Sequence, residues 1–314
     1  MSPRNIILSV LLVALFCAER FFRPVEATLP ARLPVFTELH LTEVSRVEVF
    51  GGKEEDSDSI ALERTAKGWI VRSHFDFPAH DWAVEDLLSR LRNLDTLERV
   101  SQDPQGFALF GFDGSERRVE ITASNGRSLA QLQVASVPEG RGTYVKPLKE
   151  DAIYRAAALP LVEVDPIRYV RADLLDFDPA SLQRIELAHS DWEEELVLKR
   201  ESDGRWRGKG GELLSPSKVD SLIAFASHLY LQKVVAASPR DEHGLDGQGW
   251  ARLGMIADDG ESASIVVGLP VPKDQGGLGE RYATDAAWQT PWVVTVDSLV
   301  GERLSRLARS FLAR

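Results

Sequence analysis

The feature that most constrains this chain is that its two halves follow one plan. VSRVEVF (44–50) and LQRIELA (182–188) share one cadence, and the segments after each keep the same order at an offset of 133 to 140 residues. IALERTAKGWIV (60–71) answers LVLKRESDGRWRG (196–208). Each reads as strand, tight turn, strand, with Lys67-Gly68 or Asp203-Gly204 at the turn and Trp69 or Trp206 just after it. A helix follows in each half. Val84, Leu87, Leu88, Leu91 and Leu94 make one apolar stripe, and Val219, Leu222, Ile223, Ala226 and Leu229 make the other. His80 beside Asp81 and Ser215-Pro216 are the expected helix starts, with His80 and Ser215 in capping roles. Then come LERV (97–100) or LQKVV (231–235), and FALFGFDG (107–114) or DEHGLDG (241–247), which aligns Gly111 with Gly244. Two alternating strand pairs turn at Asn125-Gly126 and Asp259-Gly260. The last matches pair TYVKP (143–147) with RYATD (281–285), and AIYRA (152–156) with WVVTV (292–296).

A period this long means two tandem domains, not a solenoid. The expected fold class is α+β: two tandem homologous domains, each a mainly antiparallel β-sheet with one packed amphipathic helix, after an N-terminal membrane helix. The expected boundaries are 1–24 for a signal anchor, 25–40 for a linker, 41–160 for the first repeat and 161–314 for the second with a C-terminal amphipathic helix. A chain of 314 residues, 44% hydrophobic and 27% charged, suits two such cores.

The amino terminus carries the uncharged run Ile6–Ala18, IILSVLLVALFCA, with Ile6, Leu11, Leu12, Leu15 and Phe16 as its anchoring residues. Thirteen residues is short for a full span of about 20. The length matches an export-signal core, and Phe21 and Phe22 extend it past Glu19 and Arg20. Phe16 stands where a cleavage or lipoprotein site needs a small residue, which favours an uncleaved anchor. Arg20 and Arg23 weaken the positive-inside argument for the side on which the body lies. Prolines 24, 30 and 34 mark an extended linker.

The order of these pieces carries a resemblance. Trp69, the run FPAHDWAVEDLLSRLRNL, FGFDG and the strand pair around Asn125-Gly126, behind an apolar anchor, resemble the bacterial domain-of-unknown-function 4340 family. The resemblance is closest over 44–155 and looser over 182–296. It implies a membrane-anchored protein on the extracytoplasmic side of the bacterial inner membrane. It also implies an auxiliary part of an ABC-2-type export system of the gliding-motility kind, with permease or ATPase components as protein partners. It supplies no catalytic residues.

The residues themselves point to little chemistry. A net charge of −11 makes duplex nucleic acid a poor partner. Cys17 is the single cysteine, so no intramolecular disulfide forms and cysteine-based zinc and redox motifs are absent. Histidines 40, 74, 80, 189, 228 and 243 form no compact metal pair. EEDSDS (54–59) and DWEEE (191–195) read as hairpin tips, and GGLG (276–279) as a loop. No cofactor, metal or catalytic residue is expected. Trp69 and Trp206 read as packing residues, and Trp250, Trp288 and Trp292 as an aromatic patch for a protein partner. Val300, Leu304, Leu307, Phe311 and Leu312 share one face of a basic C-terminal helix. That face suits packing on the second domain, an anionic membrane or a partner. The expected function is therefore a non-enzymatic membrane-anchored scaffold. The rivals are an envelope enzyme acting on glycan or lipid, with acids lining a cleft between the copies, and a periplasmic ligand-binding module with a closed apolar pocket.

Overall fold

The computed structural model describes residues 39–52, 59–94, 96–136, 143–156, 162–245, 250–272, 279–285 and 290–312. The anchor segment, EEDSDS up to Asp58, Gly276 to Leu278 of GGLG, and Trp288 lie outside these residues. Among the described residues no helix is long and apolar enough to cross a membrane.

Two antiparallel sheets and three α-helices make up the described body. The first half runs β1 (Val44–Phe50), β2 (Ser59–Thr65), β3 (Gly68–Val71), β4 (Phe77–Pro78), α1 (Asp81–Arg92), β5 (Thr96–Ser101), a 3-10 turn (Pro104–Phe110), β6 (Arg117–Ala123), β7 (Ser128–Ser136), β8 (Thr143–Pro147) and β9 (Ile153–Ala156). The second runs β10 (Leu182–His189), β11 (Leu196–Arg200), β12 (Trp206–Arg207), α2 (Pro216–Ala226), β13 (Lys233–Ala236), a 3-10 turn (Asp241–His243), β14 (Ala251–Ala257), β15 (Ser262–Pro270), β16 (Arg281–Asp285), β17 (Val293–Val296) and α3 (Leu299–Leu312).

Strand order in space is β4-β3-β2-β1-β6-β7-β8-β9-β5 in one sheet and β12-β11-β10-β14-β15-β16-β17-β13 in the other. Apart from the short edge strand β4, the two orders are the same. In each, the chain leaves the sheet at one edge, passes through a helix and re-enters at the opposite edge. That crossover lays the helix's apolar stripe over a sheet face. Val84, Leu87, Leu88, Leu91 and Leu94 are buried, as are Val219, Leu222, Ala226 and Leu229, with Ile223 half-buried. The helix starts differ from expectation. His80 and Ser215 occupy the capping positions, but neither side chain makes a capping hydrogen bond. Ser215 Oγ instead lies 3.0 Å from Ser217 Oγ.

A fine detail also repeats. Val44, Val47 and Val49 point inward, as do Leu182, Ile185 and Leu187. Each set has one step of three before the alternation resumes. Each step coincides with a register shift, at Val44/Arg46 against β6 and at Leu182/Arg184 against β14. An extra residue in the strand produces both. Arg46 meets Glu48 at 2.7 Å, and Arg184 meets Glu186 at 2.5 Å.

The halves close around one hydrophobic core that runs from Leu39 to Ala308. The segment Tyr169–Leu174 stitches them together. On one side His80 N–H donates to Tyr169 O (2.6 Å) and Arg171 N–H to Pro78 O (3.1 Å). On the other, Leu174 N–H donates to Leu229 O (3.0 Å) and Leu231 N–H to Ala172 O (3.0 Å). Helix α3 packs on α2, burying Val300, Leu304 and Ala308, and Lys218 Nζ donates to Ser310 O. The apolar face of the C-terminal helix therefore packs against the protein's own second half.

Candidate functional site at the seam

The connection from β3 to β4 is a strained turn. Phe75 and Asp76 have φ of 59° and 58°, and neither is glycine. Such residues cost about 1–3 kcal/mol each and persist only where neighbours hold them. Here Arg72 Nη1 bonds Asp76 Oδ2 at 2.7 Å. From the second half, Trp292 Nε1–H donates to Phe75 O at 2.8 Å, and its ring meets Phe77 edge-on at 5.2 Å. Phe75 stays 45% exposed at the mouth of a cavity of about 380 Å³. The second half supplies the rest of its wall, including Lys233, Glu242, His243, Tyr282 and Thr295.

His243 is placed by the 3-10 turn. Its Nδ1 accepts Arg240 N–H at 2.9 Å, so the neutral ring carries its proton on Nε2. The ring packs 4.7 Å from that of Tyr282, and Nε2 lies 3.8 Å from Glu242 Oε1. Burial lowers the His243 pKa, Glu242 opposing. The turn closes on Gly244 at φ 59°, where an added Cβ would sit 2.5 Å from Leu269 Cγ. The Thr295 hydroxyl is buried without a partner. A neutral imidazole, a lysine, a phenol and an unpaired hydroxyl around one cavity can hold a small polar group by hydrogen bonds.

A second cavity, of about 330 Å³, lies against α3 and is lined by His189, Asp191, Trp250, Glu302, Ser305, Arg306 and Arg309. Among the described residues no group of three or more His, Cys, Asp or Glu is placed to hold a metal ion. Ser73 Oγ lies 3.0 Å from His74 Nδ1. The two are neighbours in an exposed turn, and Ser73 Oγ also accepts Ala61 N–H, which marks a turn contact.

The expected tryptophan patch divides between surroundings. Trp250 is half-buried against α3, with the Arg281 guanidinium 3.7 Å over its ring. Trp292 is half-buried at the seam, and Trp288 is outside the described residues. Trp69 is buried and Trp206 packs on the core, as expected of packing residues. His228 is exposed, its Nδ1 2.7 Å from Ala224 O. DWEEE forms the β10–β11 connection, where Glu195 pairs with Arg252 at 2.6 Å.

The sequence reading did not single out the Phe75–Asp76 turn, His189 or Ser305. His189 had a signal: it continues the inward alternation Ile185, Leu187, His189.

The sequence model of a domain of unknown function, DUF4340, matches residues 69–248. The chain belongs to this family. The matched stretch opens in β3, crosses the seam and ends after the second 3-10 turn, so it takes in parts of both halves. No curated protein and no solved structure matches the chain significantly.

Proposed function

We propose that this protein is a non-enzymatic, membrane-anchored extracytoplasmic scaffold, an auxiliary part of an ABC-2-type transport assembly of the gliding-motility kind. The observation that carries this reading is the main hydrophobic core, which runs continuously through both halves. It makes the body behind the proline-marked linker one block, suited to holding partner surfaces at fixed separation. The common strand order, the repeated bulge and the repeated Arg–Glu pair support a duplicated origin for the halves. The block presents large apolar side chains to water at Trp82, 68% exposed on α1, and at Leu109, 79% exposed in the first 3-10 turn. An exposed tryptophan is a side chain enriched among the anchors of protein interfaces. Trp250 and Trp292 flank the two cavities and remain candidates for a partner's rim contacts.

The test is photo-crosslinking in intact cells from the full-length chain carrying a photoreactive residue at Trp82 or Leu109, read by mass spectrometry. The expected result is enrichment of an ABC-type permease or ATPase over a chain beginning at Pro34. Enrichment of no membrane protein above that control would end the scaffold reading. A second reading, a ligand-binding module, has one observation in its favour: two buried polar groups without partners border the α3 cavity.

A further inference from the structure

The α3 cavity is built around a shortage of acceptors. His189 is 6% exposed, between Trp192, stacked at 5.2 Å, and Trp250, edge-on at 4.5 Å. Its Nδ1 accepts Asp191 N–H at 3.1 Å. The neutral ring therefore carries its proton on Nε2, and that Nε2 is buried without a partner. Ser305 is 7% exposed, and its Oγ is likewise buried and unpartnered. A helical serine ordinarily bonds a carbonyl one turn back; this one does not.

Buried polar groups without partners are rare in native proteins, and each raises the question of a missing partner. The charges around this pair point the same way. Arg306 and Arg309 line the cavity from the exposed side of α3, and among the described residues neither makes an ion pair. The cavity also carries two carboxylates: Glu302 interacts electrostatically with the half-buried Arg281, and Asp191 accepts from Ser190 Oγ at 3.3 Å. Helix and wall are held in close register, because a Cβ at Gly301 would fall 1.6 Å from the Trp250 ring.

We propose that this cavity binds the oxyanion group, phosphate or carboxylate, of a small soluble molecule. Arg306 and Arg309 attract it, and His189 Nε2–H and the Ser305 hydroxyl donate to it. Guanidinium groups suit both anions through paired N–H donors. The proposal does not depend on the scaffold reading, since a scaffold can carry a ligand site and a ligand module needs no transporter.

The test is calorimetric titration of the full-length chain in uncharged detergent with inorganic phosphate and, separately, acetate, against chloride at matched ionic strength. The expected result is saturable binding of at least one oxyanion with Kd below about 10 mM. The stronger of the two identifies the tetrahedral or planar source. Arg306→Gln with Arg309→Gln should weaken it at least about tenfold. Ser305→Ala should also weaken it, while the melting temperature without ligand stays level or rises, because an unpaired hydroxyl is removed. Failure of both anions to saturate overturns the proposal, as does unchanged binding in the double arginine variant. Ser305→Ala that lowers the melting temperature and leaves binding intact also overturns it, by making Ser305 a packing residue.

Discussion

The same joint is built twice, with different side chains. In the first half Phe110, at the end of the 3-10 turn, meets Tyr144 of β8 edge-on at 5.2 Å. In the second half His243, at the end of the matching turn, meets Tyr282 of β16 at 4.7 Å. Both turns close on a left-handed glycine, Gly111 at φ 81° and Gly244 at φ 59°. The frame is the same, but the chemistry is not. The first turn presents Leu109 to water, while the second presents Asp241 and Glu242 and buries a titratable ring beside the seam cavity. One repeat thus offers an apolar surface and the other a polar site. Two copies fused on one core can divide roles in this way without changing their sheets.

The strongest way to break the comparison is to ask whether the halves fold as one body. Leu87 on α1 and Leu222 on α2 are equivalent and buried. Either one changed to Ala should cost about 2–5 kcal/mol. Because the core is continuous, each variant should shift one common unfolding transition. Denaturant melts followed by fluorescence and far-ultraviolet dichroism check this. A variant that moves one of two separated transitions would show two independent domains instead.

Tyr169 tests the stitch between the halves. Burial pushes its phenol up to about 12, while its hydroxyl donates to Glu163 O at 3.2 Å. A pKa raised above the unfolded value of about 10 stabilises the fold fully below that pH, and the contribution is lost as pH rises towards the folded value. Wild type should lose roughly 2–3 kcal/mol between about pH 10 and 12, beyond any loss shared with Tyr169→Phe. Parallel pH-dependent melts of the two proteins measure the difference. Equal slopes would place the phenol in contact with solvent.

His243→Phe converts the second joint into the first. Burial lowers the His243 pKa, so its stabilising contribution is present above the unfolded value of about 6.5 and falls away below it. The substitution removes the Arg240 N–H to Nδ1 bond, costing about 1 kcal/mol near pH 8. It should also flatten the acid-side slope of stability against pH. An unaltered slope would mean that His243 titrates as an exposed histidine does.

Much of this frame was legible because it rests on period and turn chemistry. The inward residues of β1 and β10, both helix stripes and the glycine turns follow from local rules. What the sequence did not show depends on tertiary neighbours. The steps from Val44 to Val47 and from Leu182 to Ile185 are the trace of a bulge, but the alternation around each hides it. Phe75 and Asp76 are held at positive φ by Arg72 and by Trp292, over two hundred residues away, and neither residue type announces that backbone. Ser305 belongs to the buried face of α3, yet its lack of a partner exists only once the helix lies on Trp250. His189 was the nearest to visible, one step beyond a strand whose pattern already pointed inward.

The gentlest test separates surface from frame. Leu109 is 79% exposed and Phe110 carries the contact to Tyr144. Leu109→Ser should therefore change stability by no more than about 0.5 kcal/mol. If the apolar turn is a partner anchor, the same variant should lose most of the crosslinking seen from a photoreactive residue at Trp82. A matched change in the second turn, Glu242→Ser, should leave the crosslinking in place. Equal loss from both would make the turns interchangeable. Loss from neither would move the partner surface away from the one element in which the two halves most clearly differ.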